Sequence, residues 1–235
     1  LMSEADRDKP VQIKNMLADF GFRTREEALA RGLHIGAMVV VKGEFVELNE
    51  GQRLLSKAFD NRYGVVLGLE VARHFKDIDL PYDLYVGATV QEEVGLRGAT
   101  TSSNAINPDF AIVLDCSPAR DSTGDKEQEG QLGGGVLLRY TDRSMLSFRK
   151  LISYQEEVCR LVGVPCQYYS SPGGTDAGAI HKANSGVLTL THCICSRNIH
   201  TCSSIIDADD YLAAKKALIY ILNDFNQQTF ERLKK

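Results

Sequence analysis

Residues 110–116 read FAIVLDC: five apolar residues in unbroken succession, then Asp115 and Cys116. An amphipathic strand alternates, and an amphipathic helix spaces its apolar residues by three and four; this run does neither. It is the pattern of a strand buried on both faces, as in a largely parallel sheet covered by helices above and below. Working outward, NRYGVVLGLEVARHF (61–75) carries apolar residues at helical spacing, and YDLYVGATV (82–90), aromatic and β-branched, reads as a strand. Downstream, GGGVLLRY (133–140) is a strand, SMLSFRKLISYQEEVCRLVG (144–163) an amphipathic helix closed by Gly163, and SGVLTLTHC (185–193) another strand. Residues 207–235 are expected as one long helix, with Asp207, Asp209 and Asp210 in its first turn and Lys234-Lys235 at its end, the favourable sense for the macrodipole. Strands alternating with helices from residue 56 onward predict an α/β layer fold over 56–235.

Residues 1–55 have another texture, polar and short-ranged. TREEALARG (24–32) has Thr24 and Glu27 in capping-box spacing and Gly32 as a stop, and AMVVVKGEFVEL (37–48) reads as a hairpin around Lys42-Gly43. This stretch is expected to be what is present of a small β-rich module.

The chain has 235 residues, 43% of them hydrophobic, and can bury one large core. A net charge of −4 offers no basic stripe, which argues against nucleic acid as a partner, and the sequence shows neither a bilayer-length apolar run nor a signal segment. The six cysteines form no CxxC pair, so reduced thiols and a cytoplasmic location are expected, with no membrane partner.

Asp60 stands just before the helix 61–75, Glu92 and Glu93 follow the strand 82–90, and Asp115 ends the strand in FAIVL. The carboxyl ends of strands form the ligand crevice of an open α/β sheet, so these four carboxylates are placed to converge. Four anions together repel unless cations sit among them, and a pair of divalent metals is the simplest candidate, with His200 in SRNIHTCSS available as an imidazole ligand. A carboxylate shared by two metals and a second one free to act as base on an activated water would make a hydrolase.

The stretches KAFDNRYG (57–64), GATVQEEVGLRGA (87–99), VLDCSPARD (113–121), SSPGGTDAGAI (170–180) and RNIHT (197–201), in that order and at those separations, resemble the dinuclear-metal aminopeptidases of the glutamyl aminopeptidase and tetrahedral aminopeptidase family. The resemblance runs from about residue 20 to the C-terminus. It implies a three-layer α/β/α metallopeptidase domain with a small β-barrel dimerisation module, here partly present, built into dimers and then into a dodecameric tetrahedron. It implies two divalent metal ions per subunit, zinc or cobalt, with Asp60 bridging them, Glu93 and His200 holding one, Asp115 the other, and Glu92 as general base. The substrates implied are peptides with a free N-terminus. The family's remaining terminal ligand is a histidine in a His-x-Asp segment ahead of the β module; the histidines of this sequence are His34, His74, His181, His192 and His200, none in such a segment. The chain is therefore expected to be an N-terminally incomplete piece of a longer protein, the alternative being a truncated paralogue with an impaired site.

Gly173, Gly174, Thr175 and Asp176 in SPGGTDAG are substrate-loop candidates, because the glycines let backbone approach a ligand and Asp176 is placed to open a helix. Preference for acidic N-terminal residues would need a cation at the pocket wall, and Arg120, Arg143 and Arg197 all qualify. Cys116 beside Asp115 and Cys202 beside His200 raise thiol catalysis, which lacks the residue order it needs. Two other readings are a related dinuclear amidohydrolase (deacylase or carboxypeptidase) and a non-catalytic assembly subunit with an incomplete metal site.

Overall fold

The computed structural model describes residues 9–235. They fall into two compact units, 9–41 and Lys42–Lys235. The described part of the first unit holds a 3-10 turn, Ile13–Asn15, and the helix α1, Arg25–Ala30, and no strand. Thr24 caps α1 as its sequence predicts, accepting from the Glu27 amide at 3.2 Å, while the Glu27 carboxylate accepts from the Arg23 amide rather than from that of Thr24. Gly32, at φ +82°, ends the turn.

In the second unit, strands β1 (Val46–Leu48) and β2 (Arg53–Ser56) pair antiparallel, so the first hairpin turns through 49–52 and not around Lys42-Gly43. Asn49, Glu50 and Gly51 supply the left-handed backbone that a tight return needs, and Gly43 is instead packed so that a Cβ would stand 3.0 Å from the Cys202 carbonyl oxygen. β2 pairs on its other edge with β7 (Ser204–Asp207), making a three-stranded sheet β1-β2-β7. β2, a strand not anticipated from the sequence, is thus hydrogen-bonded to the strand leading into the C-terminal helix.

The main sheet has four strands in the order β3-β6-β4-β5: β3 (Phe110–Pro118), β4 (Val136–Thr141), β5 (Cys166–Ser170) and β6 (Leu188–Ser196). β3 with β6 and β4 with β5 are parallel, and β4 meets β6 antiparallel. One face packs against helices α2 (Phe59–Phe75), α4 (Arg149–Val162), α6 (Ala208–Asp224) and α7 (Gln227–Lys234), through Leu67, Leu151, Val158, Leu190, Ile194 and Leu218. The opposite face carries Val113, Leu137, Tyr169, Cys193 and Cys195, with Ala177 of the short helix α5 (Ala177–Ile180) set against Val113. FAIVL lies in the middle layer of three, with Val113 buried and its other four residues half-buried at the edge of the sheet, and Cys193 and Cys195 share one apolar face, as their spacing requires.

Two sequence-based expectations are corrected, and one helix was unforeseen. Residues 82–90 join no ladder; Tyr85 is 67% exposed, and the segment is held through its end, where the Gly98 amide donates to the Val90 carbonyl and a Cβ on Gly98 would stand 2.4 Å from the Val90 nitrogen. Strand-forming residues make a strand only where a neighbour completes the hydrogen bonds, and among the described residues none does. A helix, α3 (Arg97–Ile106), follows, unforeseen because its small and hydroxylated residues show no apolar stripe; Ser103 donates back to the Ala99 carbonyl at 2.6 Å. The C-terminal helix is two helices, since the chain leaves helical geometry at Phe225 and Asn226 recaps α7 by accepting from the Thr229 amide. No helix among the described residues is long and apolar enough to cross a membrane.

Candidate active site

The site is assembled where α2, β3, the loop 91–97 and the β6–β7 connection meet. α2 begins irregularly: Ala58 is left-handed, and Asp60 and Asn61 depart from helical dihedrals before the helix sets in. Asn61 fixes that entry. Its amide nitrogen donates to the Leu114 carbonyl at 2.6 Å, and its oxygen accepts from the Gly64 amide at 2.9 Å. A Cβ on Gly64 would lie 2.7 Å from the Leu114 carbonyl oxygen and 2.6 Å from the Asn61 side chain, so only glycine lets α2 approach the end of β3 this closely. Asp60 and Asp115 are thereby brought to the same place from different elements.

Loop 91–97 turns through Gln91 at φ +59°, Gly95 at +129° and Leu96 at +56°, and the Glu92 carbonyl accepts from the amides of Gly95 and Leu96. His200, at φ +64°, lies in the loop closed by reciprocal backbone bonds between Arg197 and Ile205. Its Nε2 is 2.8 Å from Asp60 Oδ2 and 3.4 Å from Glu93 Oε2. Asp60, Glu93 and His200 each offer a ligand atom, all within 4.8 Å of one another.

Asp115 and Glu92 complete the acidic field. Burial first, then the charges of Asp60 and Glu92, pushes the Asp115 carboxyl well above the usual range, opposed by the Cys116 amide and Arg139. Burial also raises Glu92, to about 7, reinforced by Asp176, Glu93 and Asp60 and opposed by His200. Glu93 is raised by burial and by Asp60. Burial is the first cause of each shift, and the mutual repulsion of the carboxylates adds to it beyond what His200, Arg139 and the Cys116 amide offset. Oxygen donors with one imidazole, gathered where the carboxylates repel one another, fit a divalent cation.

The substrate-loop candidates separate. Asp176, 8% exposed, turns one carboxylate oxygen to the Thr89 hydroxyl, while its buried Oδ1 has no partner. It precedes α5 without capping it, and its charge is felt by Glu92. Gly173 is exposed and its carbonyl accepts from Arg139 Nη2 at 2.6 Å. Gly174 is small because Ser144 is there, its Oγ 2.7 Å from where a Cβ would lie. Thr175 is fully buried, its hydroxyl accepting from the Ala177 amide. The three candidate arginines separate as well: Arg197 is paired with Asp121 at 2.6 and 2.7 Å, Arg120 donates to the Ser170 carbonyl and covers the Tyr169 ring, and Arg143 is exposed. The Cys116 thiol is buried, pushed well up, and donates to the Phe59 carbonyl, an inert arrangement.

Asn61, Gly64, Thr89 and Arg139 position the site, and sequence reading did not single them out. Arg139, 2% exposed, binds Asp142 at 2.9 Å, Ser117 at 3.0 Å and Gly173, tying β4 to the loop that ends in Asp176. The one available signal was an arginine inside an otherwise apolar strand run, VLLRY.

Known proteins share this arrangement of chain. The glutamyl aminopeptidase of Lactococcus lactis subsp. cremoris is 37% identical over 222 residues, covering 94% of this chain and 62% of that protein. The TET aminopeptidase from the marine sediment archaeon Thaumarchaeota archaeon SCGC AB-539-E09 superposes with a TM-score of 0.89 at 33% identity, over 99% of this chain and 66% of its own. The Pyrococcus horikoshii TET1 peptidase, described as assembling into a tetrahedron or a large octahedral shell, gives 0.78 at 26% identity over 96% of this chain and 66% of its own. The chain thus spans about three-fifths of the length of the first of these relatives. Residues 1–217 match the family described as M42 glutamyl aminopeptidase, and the chain belongs to that family.

Proposed function

We propose that this chain carries the catalytic centre of a metal-dependent aminopeptidase that removes N-terminal residues from peptides. The observation that carries the reading is the convergence of Asp60, Glu92, Glu93 and Asp115 with His200 from four separate segments, at a place with too little positive charge of its own. Asp60, Glu93, Asp115 and His200 are the residues that would hold two divalent ions, zinc or cobalt, with Asp60 shared between them. Such ions, when bound, activate water and stabilise negative charge on a carbonyl oxygen.

The chain's own residues do the rest. Glu92 is half-buried and has a raised proton affinity; it takes the proton of the attacking water and returns it to the leaving amine. The surplus carboxylate charge receives the substrate's free α-ammonium, which favours exopeptidase over endopeptidase action. Gly173, Gly174, Thr175 and Asp176 form the loop beside Glu92, held by Arg139 and Thr89, and Asp176 is the member that reaches the reacting groups. Copies of the chain assemble with one another, dimer to dodecamer, by likeness to the shell-forming P. horikoshii protein. The cytoplasm is the compartment that six unpaired thiols suit.

The test is Glu92→Gln in the full-length protein supplied with zinc or cobalt. Bound metal, measured by elemental analysis, is expected to stay, while hydrolysis of aminoacyl-anilides falls by about 10²–10⁴-fold. Undiminished turnover would overturn the assignment of the base. Cleavage of N-acylated substrates in place of free aminoacyl ones would favour the deacylase reading.

A further inference from the structure

We propose, resting on the aminopeptidase reading above, that the buried Arg139–Asp142 ion pair is a positioning device: it sets the loop 171–176 against the reacting groups by direction, at no gain in stability. Arg139 stands in β4 and Asp142 just beyond its end, with side chains 2% and 1% exposed. The guanidinium serves three elements at once. Its Nε and Nη2 meet Asp142 Oδ2 at 3.0 and 2.9 Å, Nη1 donates to the Ser117 hydroxyl of β3 at 3.0 Å, and Nη2 donates to the Gly173 carbonyl at 2.6 Å. The other carboxylate oxygen of Asp142 accepts from the Ser144 amide and hydroxyl, at 2.7 and 2.9 Å, and from the Met145 amide at 2.8 Å. Ser144, so fixed, is pressed against the same loop and against α5: a Cβ on Gly174 would lie 2.7 Å from its Oγ, and one on Gly178 2.5 Å from its Cβ. The pair thus grips the loop on two sides. At the loop's entry the Ser171 amide donates to the Thr141 carbonyl at 3.0 Å, and at its exit Asp176 accepts from the hydroxyl of Thr89, three residues ahead of Glu92.

Stability does not account for the pair. Dehydrating two charges costs about as much as their attraction returns, and apolar side chains of the same volume would hold β4 to its neighbours as well or better. Apolar contacts, however, fix no angle. A planar guanidinium holds its acceptors in set directions, and here they belong to β3, to the turn after β4 and to the loop that ends in Asp176. Ser117 lies two residues beyond Asp115, so one side chain references the loop to the strand that delivers a carboxylate to the site. Arg139 and Asp142 are positioning residues, acting through the placement of Asp176 and its neighbours.

Two variants of the full-length protein test this. Arg139→Lys keeps a cation opposite Asp142 but brings one compact donor centre in place of the fork. Arg139→Met combined with Asp142→Asn removes both charges and keeps an acceptor for the Ser144 and Met145 amides. Loaded with zinc or cobalt and shown by circular dichroism to be folded, both are expected to keep their metal by elemental analysis. Because the displaced loop borders the base Glu92, kcat on aminoacyl-anilides should fall about 10-fold in the first and about 10²-fold in the second, with KM within about threefold of the parent's. The urea midpoint of the double variant should equal or exceed the parent's. In chelator, hydrogen exchange at the Ser171 and Gly178 amides, both bonded within the braced segment, should quicken about 10-fold in both variants, a readout that needs no turnover. Parental kcat or parental exchange in these variants would overturn the proposal and leave the aminopeptidase reading standing, as would a kcat loss that only tracks lost stability; where the double variant fails to fold, Arg139→Lys carries the test. A metal-loaded parent without activity would overturn that reading, and the proposal with it.

Discussion

Two acidic clusters lie in the same unit of this chain, and they are built in opposite ways. Around β7 and the start of α6, Asp207 pairs with Arg53 at 2.5 Å and caps the helix through the Asp209 and Asp210 amides, while Asp210, fully buried, accepts from the amides of Gly133 and Gly135 at 2.9 and 2.6 Å. Every one of those carboxylates is met by donors. At the other cluster, Asp60, Glu92, Glu93 and Asp115 meet chiefly one another and a 63%-exposed histidine. The first cluster holds backbone in place; the second is short of cations. A count of acidic residues does not separate the two, and the donors around them do.

The histidines repeat the contrast along one strand and its outgoing loop. His192 is buried in β6 with both ring nitrogens used: Nε2 lies 2.8 Å from the Ala214 carbonyl, and Nδ1 3.0 Å from the Gln155 side-chain nitrogen. This arrangement suits a neutral ring that donates through Nε2 and accepts at Nδ1. His200, eight residues on, presents Nε2 to two carboxylates.

The strongest strain on this contrast is Asp210→Ala. It leaves two amides of the loop 133–135 without an acceptor, and the expected loss, read by urea unfolding at pH 7, is about 3 kcal/mol. A variant as stable as the parent would show that this cluster is no better satisfied than the other.

Next in size is the pH dependence of the two satisfied groups. His192 is pushed down by burial to about 4, from an ordinary 6.5. Between those values the unfolded chain binds the extra proton, so stability is whole above pH 6.5 and falls as the pH drops toward 4, by up to about 3 kcal/mol. Burial raises Asp210 to about 6, so its effect has the opposite sign: the folded chain binds the proton first, and stability is gained as pH falls from 6 toward 3.8. The two slopes nearly cancel in the parent. Asp210→Ala should therefore expose an acid loss, and His192→Gln should instead show stability rising as pH falls from 6 toward 4; unfolding free energies at pH 7, 5.5 and 4.5 distinguish the two, and equal slopes in both variants would remove this account.

How much of this was legible follows from where the information sits. FAIVLDC announced a middle layer because a strand covered on two faces has a composition that a surface strand does not have. The acidic residues were visible as element ends, and the structure brings Asp60, Glu93 and His200 within reach of one another. The partners that distinguish one acidic cluster from the other were invisible, because Gly133, Gly135 and Arg53 are far from Asp207 and Asp210 in sequence and meet them only through the fold. YDLYVGATV misled for a related reason: residue type gives a capacity for extended structure, and only a neighbour's hydrogen bonds turn it into a strand. The break at Phe225 was written in Asn226, a good cap, but was outweighed by apolar spacing that continues through Phe230 and Leu233.

The smallest expected effect is the most discriminating. Asp115→Asn keeps an acceptor for the Cys116 amide, now 2.8 Å from the carboxylate, and removes one charge from the unneutralised set. In chelator at pH 7 the variant should be more stable than the parent by about 1–2 kcal/mol, because burial and the charges of Asp60 and Glu92 hold the Asp115 carboxyl well above its ordinary range. The same chemical change at Asp210 discards one of two acceptor oxygens that are both in use, and should destabilise. With zinc or cobalt added the order at Asp115 should reverse, since a ligand bound only by the folded state stabilises the parent by RT ln(1 + [L]/Kd), with [L] the free metal concentration, and the variant has lost a carboxylate to hold it. A destabilised Asp115→Asn in chelator would mean that this carboxylate is already satisfied by protein, and the contrast between the two acidic clusters would fail at its central residue.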